Sequence, residues 1–592
     1  MNDSVQPRWR RYLGPAIICF AALIATSPQL LRGNTCGHDF DFHLVSWIDA
    51  LQNWRQGILY PHWSPSSNFG AGEPRFIFYP PVSWMLGAAF GAIFPWKGVP
   101  LAITCLFFGL AGLATRALAR HLLPEGPATL AGCTVIFSGY ALFTAYERSD
   151  FGELAGGFWI PLLLLLILRE RNPGANLWRR AFDGSTVLLA VVVAGAWLSN
   201  APLGVMACYL LAAVALVVAL TRRSWAPVVR ASVAVVLGLG ISSFYLIPAA
   251  VEQRWADMNQ ILKDPGYTVE NNWLFARHAN PALELHDVEL FKVSVIAATM
   301  LAVALIGLLI CRLRRKTLGR LDWWLPLALV PVAILFLQLP VSDFVWNLLP
   351  KMRFLQFPWR FLVVLQAPMA IFFAGAVWTD RPRPRALVAA LCTCAFLFAT
   401  AFAGWMFFQT CDEEDAVWAM MDVYSSGAGF TGTDEYEPPF ADDSQLAMGL
   451  PPACLAASPL TPLGEGSEGA QPEWLPDQHS CQAVFPFSRS SRQPAIEHLR
   501  VDATAPGGGG LILRLRDYPA WQVRVNGQIH SALPHRTDGL IAVTLPPGKV
   551  TVTADWTTTH DVLVSRWVAT ISLLLLAPAA WFEYRSIRPR VS

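Results

Sequence analysis

The chain has 592 residues, of which 54% are hydrophobic and only 15% charged, with a formal net charge of +2. Soluble domains usually carry about 25% charged residues, and a nucleic-acid footprint would need a Lys/Arg tract that is missing here. With 24 Trp and 35 Phe as interface anchors, the composition describes an integral membrane protein, with lipids as neighbours and no nucleic-acid partner.

Apolar runs of about 16 to 24 residues, long enough for a hydrocarbon core of about 30 Å, predict twelve spans. They fall at 13–31, 98–118, 127–146, 153–169, 184–199, 203–220, 228–250, 291–311, 321–339, 358–378, 385–408 and 562–582. The first is long for a signal peptide and is read as an uncleaved span. A further apolar stretch, Pro80 to Trp96, is short and opens on two prolines. If it does not cross, the N-terminus, loops 119–126, 170–183, 221–227, 312–320 and 379–384, and the C-terminal tail share one side. Counted with the adjoining helix ends, they hold 23 of 44 Lys and Arg but only 7 of 42 Asp and Glu. That asymmetry marks a cytoplasmic face. A crossing at 80–96 would invert it, so this stretch is expected to be a juxtamembrane or re-entrant helix. Both termini are then cytoplasmic, in what is read as a bacterial inner membrane.

In chain order, the first outer loop, 32–97, opens with "GNTCGHDFDFHLVSWIDAL". Asp39 and Asp41 form D-x-D, flanked by His38 and His43. The apolar positions Leu44, Trp47, Ile48, Leu51 and Trp54 predict an amphipathic surface helix, which one aspartate would cap. That leaves the other aspartate and both histidines to be explained by chemistry. Glu73 and Arg75, in a Gly-, Pro- and aromatic-rich run, could contact a polar headgroup. The next outer loop crowds Glu147, Arg148, Asp150 and Glu153 into "YERSDFGELAGG". Asp150 could cap the following helix. Alternatively, this loop could face the first one. Then Asp39, Asp41 and Asp150 could bind a divalent cation such as Mg or Mn through hard oxygen ligands, or one carboxylate could take a proton from a hydroxyl. Lys351, Arg353 and Arg360, together with Arg277 and His278, are cations on the outer side, against the usual bias. The phosphate of a lipid-linked substrate would explain them.

The largest outer segment, 409–561, changes character along its length. Residues 409–495 are rich in Pro, Gly and acids, and irregular structure with short helices is expected. Residues 496–561 alternate, with turns at Asn-Gly, Asp-Gly and Pro-Pro-Gly, and read as a β-sandwich placed before the last span and tail, 562–592. The run "APGGGGLIL" lacks the Gly-Lys-Ser/Thr of a phosphate loop. Cys36, Cys411, Cys454 and Cys481 lie on the outer side, where disulfides can form. Cys454 with Cys481 is the preferred pair. His38, His43 and His62 lack zinc-protease spacing, so no zinc site is expected.

The stretches "HDFDFHLVSWIDALQNWRQGILYPHWSPSSNFGAGEPRFIFYPPVSW", "YERSDFGELAGGFWIPLLL", "MRFLQFPWRFL" and "TGTDEYEP" resemble bacterial multi-pass proteins labelled 6-pyruvoyl-tetrahydropterin synthase-related. The strands "YPAWQVRVNG" and "LPPGKVTV" resemble the terminal β-domain of YfhO-like proteins. The zinc-binding histidine set and small α+β fold of soluble pterin synthases are not visible, so no pterin is expected. The wider resemblance is to the C-type (GT-C) glycosyltransferase superfamily, which would make residues 1–408 a GT-C-like membrane domain. It implies a sugar donor linked to polyprenyl phosphate and a glycan, lipid or protein acceptor. Asp39 and Asp41 match the first acidic motif, Asp150 and Glu153 the second. The resemblance implies Asp41 or Asp39 as base, with Arg353, Arg360 or a metal ion stabilising the leaving phosphate. Reading by residues alone also leaves a non-enzymatic envelope-assembly protein or a lipid or glycan transporter. Transporters, however, place ionisable groups near the midplane, and here they cluster at the outer ends of spans.

Overall fold

The computed structural model describes residues 10–170, 176–182, 184–257, 263–314, 321–441, 446, 448–463, 480–488 and 492–587. Parts of loops 170–183 and 312–320, and of segment 409–495, lie outside the described residues. All twelve predicted spans coincide with helices. Eight are long and apolar enough to cross a membrane alone, from Trp96–Ala119 to His560–Tyr584. Two more are bent pairs, Ala226–Ile241 with Ser243–Trp255 and Leu321–Leu337 with Pro340–Leu348. Tyr12–Ala25 and Thr186–Ser199 are apolar but shorter. The protein is a multi-pass helical membrane protein with a C-terminal β-domain.

The stretch 80–96 forms a helix of 11 residues, Pro81–Gly91, about 16 Å long and therefore only about half the hydrocarbon thickness. It packs on the amphipathic helix Phe40–Arg55. Gly87 faces the ring of Trp47 so closely that a Cβ there would overlap it, and Trp47 and Trp84 are fully buried in this contact.

The connections sort to two ends of the helical bundle, as the charge count requires. At one end Arg116 pairs with Glu125, Arg180 with Glu170 (2.8 Å), and Arg222 with Asp322 (2.5 Å). The backbone N–H of Thr186 donates to Glu583 at 2.5 Å there, and Gly14 abuts Arg116 and Glu125. The start of the first helix and the end of the last one therefore both lie at this end. All the predicted outer segments gather at the other.

Among the described residues the β-domain holds eight strands in two antiparallel sheets. The strands are β1 (Ala453–Ala456), β2 (Ala483–Phe485), β3 (His498–Ala505), β4 (Gly509–Arg516), β5 (Trp521–Val525), β6 (Gln528–His530), β7 (Leu540–Leu545) and β8 (Gly548–Trp556). Sheet orders are β2-β1-β4-β7 and β3-β8-β5-β6. Two strands thus come from upstream of residue 496, because β4 is apolar on both faces and needs covering twice. Leu511 and Leu513 face the inter-sheet core, while Ile512 faces a second cluster with Phe69 and Ala71 of the first loop. The β5–β6 turn has Asn526 and Gly527 at φ 50° and 85°, the two positive φ values that a tight type I′ hairpin requires. Cys454 is bonded to Cys481, and Cys36 to Cys411, which ties the first loop to the start of segment 409–495.

Candidate functional site

The first two outer loops are docked backbone to backbone. The N–H of Asp39 donates to the carbonyl of Arg148 at 2.9 Å, and that of His38 to Glu147 at 3.3 Å. Only a glycine fits at position 37, where a Cβ would overlap the Glu147 carbonyl. Ser149, at φ 54°, turns the chain sharply. Its hydroxyl donates to the Thr35 carbonyl and accepts from the Gly37 N–H, both at 3.1 Å. This docking sets Asp39 across from Arg148 and Asp150.

Arg148 is the hub. Its guanidinium donates to Glu153 at 2.5 Å, Asp150 at 3.1 Å and Asp39 at 3.4 Å. Glu153 also accepts from the Tyr140 hydroxyl and lies 3.6 Å from Arg360. Asp150 has two tasks: its other oxygen caps the helix Phe151–Leu154 by accepting from the Glu153 N–H at 2.8 Å. Asp39 stands at the backbone N-cap position of Phe40–Arg55, but its side chain does not cap, which leaves it for Arg148.

This network borders a cavity of about 840 Å³. His38, Asp39, Arg148, Asp150, Lys351 and Arg360 line it, so six of the residues named from sequence share one wall. Burial pushes the Asp39 carboxyl up to about 6, against the pull of Arg148 and with the push of Asp150. Its side chain keeps 39% of its surface open, and that surface faces the cavity. His38 reaches Glu289 at 3.1 Å, and this contact raises its proton affinity. Lys351, at φ 63°, lays its ammonium over the Phe354 ring at 4.3 Å.

The remaining candidates lie elsewhere. Asp41 is exposed and points away from the cavity, accepting from the Phe42 N–H at 2.7 Å. Residues at i and i+2 leave a helix start in different directions, so only one aspartate can reach Arg148. His43 is buried behind the wall, 3.0 Å from Ser83 Oγ and 3.4 Å from the Tyr79 hydroxyl. Burial, then Arg75 and Arg148, push it down to about 3, so it stays neutral and serves as a positioning group. Glu73 and Arg75 are a buried pair at 2.5 Å. Glu73 accepts from the N–H of Thr433 at 2.8 Å, and Arg75 donates to Ser46 Oγ and the Phe42 carbonyl, both at 3.2 Å. They hold segment 409–495 against the first loop and are buried, not the surface groups that headgroup contact would need. Arg353 pairs with Glu270 on the surface, away from the cavity.

Asp39, Asp41 and Asp150 do not make a cation-binding set. One points away, and the guanidinium of Arg148 already bridges the other two. Among the described residues no group of three or more His, Cys, Asp or Glu side chains is placed to hold a metal ion.

Sequence reasoning missed Glu435, Tyr436, Tyr79, Glu289 and His286, all of which line the cavity. Glu435 sits in "TGTDEYEP", where an acid beside a tyrosine was a weak signal inside an irregular acidic segment.

No protein-family model and no curated protein matches the chain. Among solved structures it is similar to the arabinofuranosyltransferase AftD from Mycobacteria, at 18% identity and a TM-score of 0.43, over 69% of this chain and 28% of that one. It is also similar to the Archaeoglobus fulgidus oligosaccharyltransferase in the apo form, at 14% identity and a TM-score of 0.43, over 74% and 62%. The archaeal oligosaccharyltransferase AglB from Archaeoglobus fulgidus, in complex with an inhibitory peptide and a dolichol-phosphate, gives 12% identity and 0.44, over 74% and 62%. The chain thus spans from 28% to 62% of the length of these chains.

Proposed function

We propose that this protein is a membrane glycosyltransferase of the GT-C type. It moves a sugar from a polyprenyl-phosphate carrier to a hydroxyl on a glycan, lipid or protein acceptor at the outer face of a bacterial inner membrane. The observation that carries the reading is the cavity beside the two docked loops, where a carboxylate with raised proton affinity and the cations Lys351 and Arg360 line one wall.

In this reading the acceptor hydroxyl attacks the anomeric carbon and passes its proton to the Asp39 carboxylate. The bond between the anomeric carbon and the phosphate oxygen breaks, and its electron pair leaves on the lipid phosphate beside Lys351 and Arg360. Arg148 and Asp150 orient Asp39. A base titrating at about 6 is ionised at neutral pH yet still basic enough to accept a proton.

The test is sugar transfer from polyprenyl-phosphate-linked sugars by the Asp39→Asn variant. Loss of about 10²-fold or more is expected, and wild-type transfer at wild-type expression would sink the assignment. Asp41→Asn is expected to retain transfer, since Asp41 faces away from the cavity.

A further inference from the structure

The cavity wall carries nine side chains that can bear charge: His38, Asp39, Arg148, Asp150, His286, Glu289, Lys351, Arg360 and Glu435. Most are answered by the protein itself. Asp39 and Asp150 meet Arg148, Glu289 meets His38, and Arg360 faces Glu153 at 3.6 Å while donating to Gln356 and the Leu355 carbonyl at 3.0 Å. His286 has the Asn271 carbonyl at 3.3 Å. Two are not answered. Among the described residues, no cation comes within ion-pair distance of Glu435 and no carboxylate within that of Lys351. Glu435 has a hydrogen bond with its neighbour Tyr436, and Lys351 has only the Phe354 ring.

Glu435 is not there by default. Thr433 is held by Glu73 at its N–H (2.8 Å) and hydroxyl (3.2 Å). Tyr436 is buried and stacks on Phe78 with ring centroids 5.4 Å apart. Glu437 pairs with Arg516 of β4 at 2.9 Å. The turn Asp434–Tyr436 is thus clamped between the first loop and the β-domain, and it presents one carboxylate to the cavity. A carboxylate largely removed from water is costly, and its bond to Tyr436 and the more distant charge of Arg360 offset that cost only in part. A ligand that donates hydrogen bonds would offset the rest.

We propose that Glu435 is the acceptor-side contact of the cavity, binding hydroxyls of a sugar or polyol. It lies opposite in charge to Lys351, which takes the anionic phosphate. The assignment rests on the glycosyl-transfer reading and deepens it, because the exported segment then supplies acceptor recognition while the membrane domain supplies the donor site. Burial pushes Glu435 up to about 7, against the pull of Tyr436 and Arg360, in keeping with a carboxylate whose hydrogen bonding the acceptor completes.

The experiment uses the full chain in lipid nanodiscs and two kinds of probe. Methyl glycosides (glucoside, mannoside, galactoside and arabinofuranoside) report the acceptor side, and undecaprenyl phosphate reports the donor side. Glu435→Gln is expected to weaken binding of the preferred glycoside tenfold or more and to leave undecaprenyl phosphate unchanged. Lys351→Ala is expected to do the reverse. Glu435→Asp, one methylene shorter, should fall between wild type and Gln, and it carries the test if the Gln variant does not fold. Unchanged glycoside affinity in the Glu435 variants, or a wild type that binds none of the glycosides, overturns the acceptor site. If undecaprenyl phosphate still binds in a Lys351-dependent way, the transfer reading stands. If it does not bind the wild type, both fall.

Discussion

Arg148 and Arg230 are buried at opposite ends of the helical bundle, 7% and 1% exposed, yet their surroundings differ in kind. Arg230 donates to the carbonyls of Arg169 and Arg180 at 2.6 Å, Ala181 at 3.3 Å and Leu166 at 3.4 Å. These groups lie at the ends of Gly156–Leu168 and Leu177–Ala181, where free carbonyls and the helix dipole favour a cation. Arg148 instead answers three carboxylates with one positive charge, beside open space. Donation to these helix-end carbonyls lets Arg230 tie helices together. An arginine outnumbered by acids leaves residual negative charge, and here that excess helps to raise Asp39.

The sharpest way to break this contrast is to remove each cation in turn. Arg148→Ala strands Asp39 and Asp150 without their counter-charge and leaves Glu153 with Arg360 as its remaining cation. It should cost about 3–5 kcal/mol, seen as a large drop in thermal unfolding temperature or in detergent-stable yield. A wild-type melting profile would show that the network is more solvated than its burial implies. Arg230→Ala removes donors from buried carbonyls and should cost about 1–3 kcal/mol, while undecaprenyl phosphate still binds the folded fraction normally. A selective loss of that binding would erase the distinction between the two ends.

The smallest effect concerns the carboxylate without a cation. Burial pushes Glu435 in the folded protein up to about 7, from the 4.5 of an ordinary glutamate. The folded state therefore holds its proton more tightly, and the destabilisation grows as pH rises from about 4.5 to about 7 and is complete above. Glu435→Gln should then stabilise the protein near pH 8 by about 1–2 kcal/mol, after allowance for a half-buried side chain, and should make no difference near pH 4. Melting temperatures across that range check both the sign and the window.

The membrane domain was legible because its signals are statistical and local. Apolar runs mark the helices, and the partition of 23 basic residues to one set of loops correctly kept Pro81–Gly91 from being read as a crossing. The acidic candidates were half legible. Their crowding beside spans singled out Asp39 and Asp150, but the direction of Asp41 depends on a helix start that no periodicity resolves. Glu73 and Arg75 read as surface groups because their partner, Thr433, lies 360 residues away. Glu435 was hidden for the same reason: it matters only through contacts with loops far from it in sequence. The strand β1 escaped notice because four residues in an irregular segment carry no alternation.

The clamp on residues 433–437 also bears on how such a protein diversifies. The groups proposed to face a phosphate sit at 351–360, before the last two helices of the membrane domain, whereas the group proposed to face a hydroxyl acceptor sits beyond them, next to the β-domain. The two sets are encoded by separate stretches of chain, and the later one is anchored to the first loop by the Glu73–Thr433 contacts, the backbone bonds of Phe430 with Ser66 and Phe69, and the Cys36–Cys411 bond. Under the proposed assignment, replacing the turn that carries Glu435 would alter the acceptor contact while leaving the groups at 351–360 in place.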